Sequence, residues 1–110
     1  MYNLRRFERI QFFCEVSLTV LPDGPTVEAH SVDISLGGVG LVTQAAVGMG
    51  QTVALGFSLR DESGKNIVNR VLGRVAHLRA EPDANRVGVE FLEVLSASVS
   101  PQLSNKVLKI

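Results

Sequence analysis

An all-β fold is predicted: a six-stranded antiparallel β-barrel with a flexible N-terminal arm before it and a short C-terminal α-helix after it. Three observations lead there. Apolar and polar residues alternate with a period of two over several short stretches. Clusters of turn-forming residues separate those stretches, and only the C-terminal stretch switches to helical spacing. At 110 residues with 45% hydrophobic content, the chain is one domain around one core. The expected organisation is an arm over 1–9, the barrel over 10–94 and the helix over 95–110.

The elements follow in order. Ile10, Phe12, Cys14, Val16, Leu18 and Val20 share one face, and Gln11, Glu15, Ser17 and Thr19 the other. Phe13 is the exception in this first strand. Pro22-Asp23-Gly24-Pro25 ends it as a turn. A second strand runs from about Thr26 to Ile34, and its less regular alternation predicts a bulge. Leu36-Gly37-Gly38 then supplies a tight turn, and a third strand covers about Val39 to Thr43. After a loop at Val47–Gly50, Val53, Leu55, Phe57 and Leu59 alternate in a fourth. Asp61-Glu62-Ser63-Gly64-Lys65 is a hairpin turn into a long fifth strand, Asn66 to about Arg79. Its two faces read as Val68, Leu72, Ala76 and Leu78 against Ile67, Val71 and Val75. Glu81–Asn85 turns the chain into a sixth strand, Arg86 to Leu92, with Val87, Val89 and Phe91 on one side.

The tail differs. Ser100 reads as an N-cap with Pro101 at the first helical position. Val99, Leu103, Val107 and Ile110 follow at helical spacing, which predicts an amphipathic helix packed across one barrel opening.

Eleven basic and eleven acidic residues cancel, so no global field draws the chain to nucleic acid or anionic lipid. An aromatic content of 5% without tryptophan further disfavours a single-stranded RNA or DNA binder built on base stacking. No apolar run approaches the roughly 18 residues of a membrane span. The single cysteine, Cys14, cannot form an internal disulfide or a zinc site unaided, and it falls on the apolar face of its strand as a small core residue. A cytoplasmic protein without membrane insertion is the expectation. His30 and His77 carry no accompanying ligand pattern, so no metal is expected. Arg60, Arg70, Arg74 and Arg79 read as solvated charges, one of which could rim a site. No nucleophile is paired with a base, so no enzyme is expected.

Anion recognition must therefore be local. Arg5, Arg6 and Arg9 fall within a short segment opposed only by Glu8. A guanidinium is a planar fork that matches phosphate oxygens or the O6 and N7 edge of guanine, and its face stacks on purines. Asp33 offers a planar acceptor pair suited to the N1–H and N2–H donors of guanine. Ser35 adds an adaptable hydroxyl, and the backbone N–H groups of a turn at Gly37 and Gly38 can accept an anion at close range. The inventory suits a guanine nucleotide with accessible phosphates, and it describes binding without catalysis.

Arg5-x-x-x-Arg9 before a first strand and Asp33-x-Ser35-x-x-Gly38 after a second resemble the paired signature of PilZ domains. Ser35-Leu36-Gly37-Gly38-Val39-Gly40-Leu41, Gly73-Arg74-Val75 and Arg86-Val87-Gly88-Val89-Glu90-Phe91 fit the family's continuation, as does the terminal helix. Either short motif alone is common; the pair at this separation, inside six strands ending in Gly-Val-Glu-Phe, is specific. The resemblance covers nearly the whole chain. It implies a receptor for the bacterial second messenger cyclic di-GMP, bound on the outside of the barrel and relayed to a downstream protein partner. It also implies that Arg5 and Arg9 engage guanine faces and phosphates, with Arg6 as a supplementary phosphate contact. Asp33, Ser35 and Gly38 would address the base edge and backbone. In the family an arginine just before the first motif arginine favours a stacked ligand dimer; Leu4 stands there, which implies one ligand per chain. Some PilZ-like domains instead serve as protein-interaction adaptors that do not use the nucleotide.

Overall fold

The period-two pattern is realised as seven strands in a computed structural model, which describes residues 8–96 together with Leu103, Ser104 and Val107. The strands are β1 (Ile10–Gln11), β2 (Glu15–Val20), β3 (Thr26–Ile34), β4 (Gly38–Thr43), β5 (Thr52–Arg60), β6 (Asn66–Ala80) and β7 (Asn85–Phe91). Every pairing is antiparallel. The order β3-β2-β5-β6-β7-β4 closes on itself because β4 also pairs with β3, and β1 adds to the far end of β3. Six strands thus form the predicted barrel, and closure leaves no long sheet edge to satisfy.

The stretch predicted as one strand over residues 10–20 is divided. Gln11 pairs with Asp33 and Glu15 with His30, so Phe12, Phe13 and Cys14 face only Ser31 and Val32. One extra residue makes this a bulge. The ladder continues around it through Phe12 N–H to the Val32 carbonyl at 3.1 Å and Ser31 N–H to the Cys14 carbonyl at 2.9 Å. Phe13, 72% exposed, is thrown outward, which accounts for its break in the alternation.

Two further bulges determine what the outer surface carries. The irregularity expected in the second strand lies between Ser31 and Asp33, in the β3–β4 pairing. Val27, Ala29 and Ser31 turn inward ahead of it; beyond the extra Val32 the inward residue is Ile34, and Asp33 faces out. On β6 the two predicted faces separate, Ile67, Val71 and Val75 pointing to the core and Val68 and Leu72 to solvent. Between Val75 and His77 the register shifts by one, with Ala76 as the extra residue. The alternation expected to run unbroken to Leu78 therefore stops. Leu78 pairs with the inward-facing Val87, and His77 faces out opposite Gly88.

The core is filled from every strand of the ring, with Leu18, Ile34, Leu41, Leu55 and Phe57 fully buried. Phe57 meets Phe91 edge to face, ring centroids 6.5 Å apart at 84°, an arrangement aromatic quadrupoles favour. Leu103, Ser104 and Val107 are helical, and Leu103 and Val107 are buried against the barrel. The Leu103 N–H donates to Asn69 Oδ1 at 3.1 Å, tying this turn to β6. Ser100, Pro101, Val99 and Ile110, assigned to the same helix from sequence, lie outside the described residues. Leu95 precedes them as buried non-helical chain, its N–H bonded to the Leu36 carbonyl at 2.9 Å. In the β5–β6 hairpin, Asp61 Oδ1 accepts from the Ser63 hydroxyl and the Ser63 and Lys65 amides. Those bonds, the Ser63 hydroxyl first, hold its carboxyl below the usual carboxylate range. Among the described residues no helix is long and apolar enough to cross a membrane.

Candidate functional site

The turn from β3 to β4 is built by Ser35. Its backbone N–H donates to the Gly38 carbonyl at 2.8 Å and its hydroxyl accepts the Gly37 N–H at 3.1 Å. Only 1% of this serine is exposed. The Gly37 carbonyl accepts the Phe91 N–H at 2.9 Å, which fastens the turn to β7. A side chain does not fit at Gly38, where a Cβ would lie 2.6 Å from the Val89 carbonyl oxygen.

Beyond the turn, one outward row crosses four strands. Asp33 pairs with Gly40, Gly40 with Gly88, and Gly88 with His77. A Cβ on Gly40 would stand 2.6 Å from Asp33 Oδ1, and one on Gly88 3.0 Å from His77 Cβ. The two glycines therefore leave a floor of bare backbone, walled by a carboxylate at one end and an imidazole at the other.

Arg9 overhangs this floor. Its Nη2 donates to Asp33 Oδ1 at 2.8 Å, and the same oxygen accepts the Gly40 N–H at 3.1 Å. The two side chains are 42% and 39% exposed, so the pair contributes on the order of 0–1 kcal/mol to folding. Two adjoining recesses open here. One of about 240 Å³ takes in Arg9, Ser35, Gly37, Gly38, His77 and Glu90. The other, about 480 Å³, takes in Arg9, Asp33, Gly40, His77, Arg79 and Arg86.

The structure thus brings Arg9, Asp33, Ser35, Gly37 and Gly38 to one patch. Arg5 and Arg6 lie outside the described residues. The Gly37 N–H, expected from sequence to face an anion, is committed to Ser35 within the turn. Arg79, grouped from sequence with the solvated charges, borders the larger recess together with Arg86. Both lean on Glu81, Arg79 Nη2 at 2.5 Å from Oε2 and Arg86 Nε at 3.8 Å from Oε1. Sequence reasoning missed Gly40, Gly88 and His77. The signal for the glycines was their isolation within strand patterns, which marks close approach by another group. His77 gave none, because its outward aim depends on the bulge at Ala76.

A separate recess between β2, β3 and β4 is lined by Glu15, Glu28 and His30. Its carboxylates repel phosphate, so of these recesses those at Arg9 carry the charge that suits an anionic ligand. Among the described residues no cluster of histidine, cysteine, aspartate and glutamate is arranged to hold a metal ion.

Comparison with solved structures returns the same barrel. The Bacillus subtilis inhibitor of motility, MotI/DgrA, aligns with a TM-score of 0.71 at 16% identity, over 98% of this chain and 54% of that one. The PilZ domain of YcgR from Escherichia coli with c-di-GMP aligns with a TM-score of 0.71 at 21% identity, over 96% and 90%. A structure of Escherichia coli YcgR in complex with c-di-GMP gives 0.70 at 23%, over 96% and 45%. The chain therefore spans about half of MotI/DgrA and of that YcgR chain. At these identities the likeness establishes the fold. No curated protein matches the chain. The family model of the PilZ domain matches residues 3–106, nearly the whole sequence, and the chain belongs to the PilZ domain family.

Proposed function

We propose that this PilZ domain is a receptor for cyclic di-GMP, which binds on the outer face of the barrel without being chemically changed. The observation that carries the reading is the convergence of Arg9 and Asp33 over the Gly40–Gly88 floor. The floor admits a flat base, the carboxylate accepts the N1–H and N2–H of guanine, and the guanidinium serves phosphate or stacks on the purine. Ser35, Gly37 and Gly38 act by holding the turn from which β4 and the floor begin. The two YcgR structures carry c-di-GMP on the same fold, which supports the choice of ligand.

The arm, residues 1–9, closes over the bound ligand, with Arg5 beside Arg9 and Arg6 on a phosphate. Charge-assisted hydrogen bonds and stacking offset the entropy of ordering it. The new surface formed by arm and barrel recruits or releases a protein partner in the cytoplasm. Calorimetric titration with cyclic di-GMP tests the reading, and one ligand per chain is expected from Leu4. A second reading, an interaction module that ignores the nucleotide, is favoured by apolar groups on the outer face. Val68 and Leu72 are 53% and 49% exposed, and Leu92, bonded through its N–H to the Leu72 carbonyl, is 48% exposed. A flat titration with folded protein would leave that reading standing alone.

A further inference from the structure

The ring of strands carries a second floor of small residues, on the side away from Arg9. Glu28 pairs with Ser17, Ser17 with Gly56, and Gly56 with Arg70, so one outward row crosses β3, β2, β5 and β6. The neighbouring row runs from Thr26 through Thr19 and Ala54 to Leu72. No side chain fits at Gly56, where a Cβ would lie 2.6 Å from Ser17 Oγ and 3.2 Å from Val68 Cγ1. The Thr19 and Thr26 hydroxyls are bonded to each other at 2.8 Å.

The two sides of this floor carry opposite charge. Glu28 and Glu15 line the acidic recess of about 480 Å³ on one side. On the other, Arg70 and Arg74 alternate along β6 with the exposed Val68 and Leu72. Among the described residues none of these four charged side chains forms an ion pair or a hydrogen bond.

Such a face is complementary to itself. A twofold axis parallel to the strands, passing between β2 and β5, reverses the order of each row. It sets Glu28 against the Arg70 of a second copy, Ser17 against its Gly56 and Thr26 against its Leu72. Every contact then occurs twice, as a closed isologous pair requires. Ser17, Thr19, Ala54 and Gly56 project little, so the two sheets can approach while each Arg70 reaches the acidic recess opposite. A partner of other sequence would have to supply a cation and a carboxylate at the same separation; a second copy supplies both by symmetry.

We propose that this chain pairs with a second copy of itself through the outer face of β2 and β5, with Glu28 and Arg70 forming reciprocal ion pairs across the twofold axis. The face lies clear of the Arg9 patch, so the inference is independent of the cyclic di-GMP reading. Its charges are exposed and its area is modest, so a dissociation constant on the order of 10–100 µM is expected.

Sedimentation equilibrium of the full chain without nucleotide tests the pairing. The unmodified chain is expected to show a monomer–dimer equilibrium. Raising salt from about 0.1 M to about 1 M cuts the screening length from about 10 Å to about 3 Å and should weaken it severalfold. Glu28→Arg and Arg70→Glu each set like charges face to face and should each weaken self-association at least about tenfold. An equimolar mixture of those two variants should recover the dimer, because every reciprocal contact again joins opposite charges. Asp83→Arg, in the β6–β7 turn, changes the net charge as much as Glu28→Arg does and should leave association unaltered. Far-UV circular dichroism and melting temperature verify that each variant is folded. A chain that stays monomeric at about 1 mM overturns the pairing and leaves the face to a partner of other sequence. A dimer indifferent to both charge reversals, or a mixture that stays monomeric, overturns it equally.

Discussion

The Arg9 guanidinium donates to Asp33 Oδ1 at 2.8 Å across 24 residues of sequence, joining the end of the arm to the rim of the glycine floor. Each partner is the group the other would relinquish to a ligand. Phosphate or a purine face satisfies the guanidinium, and guanine donors satisfy the carboxylate. An ion pair this exposed adds little to stability. Arg9→Ala is therefore expected to abolish measurable calorimetric binding of cyclic di-GMP while changing unfolding free energy by less than about 1 kcal/mol.

Under the proposed reading, Asp33 carries base choice. Asp33→Ala should weaken binding by about 1–3 kcal/mol, the scale of a lost bidentate base contact. It should also narrow the preference for guanine over adenine cyclic dinucleotides, measured by parallel titrations. Equal binding of both ligands by the unmodified chain would refute the carboxylate's role.

Gly40 separates positioning from folding. A methyl there would stand 2.6 Å from Asp33 Oδ1, and the end of that side chain can swing away. Gly40→Ala is expected to lower affinity by displacing the carboxylate, with a smaller effect on the melting temperature. Gly38→Ala should do the reverse, because its methyl would meet the Val89 backbone carbonyl at 2.6 Å and strain the β4–β7 ladder.

Ser35 is expected to act through the fold. Its buried hydroxyl accepts the Gly37 N–H. Removing it leaves that donor unsatisfied at a cost of about 1–3 kcal/mol. Ser35→Ala should shift the denaturant midpoint downward and weaken ligand binding as a consequence.

Much of this was legible in the chain. The alternation of Val16 and Leu18, of Val53 to Leu59, and of Val87 to Phe91 identified core faces because burial on a strand repeats every second residue. Asp33 and Gly38 could be singled out because turn chemistry and charge are local properties. Register is not local. The bulge near Phe13 betrayed itself by putting a large aromatic out of phase, whereas the one at Ala76 did not, since alanine suits either face. Its consequence, an outward His77 opposite Gly88, follows only from how β6 pairs with β7. Gly40 and Gly88 likewise gain meaning only side by side.

The central claim is that Arg9 and Asp33 form one cyclic di-GMP site, and a calorimetric titration of the chain beside Arg9→Ala tests it most directly. Saturable binding of one ligand per chain, lost in Arg9→Ala with the fold preserved, is the predicted result. No heat of binding from the folded chain, or undiminished affinity in Arg9→Ala, would contradict it.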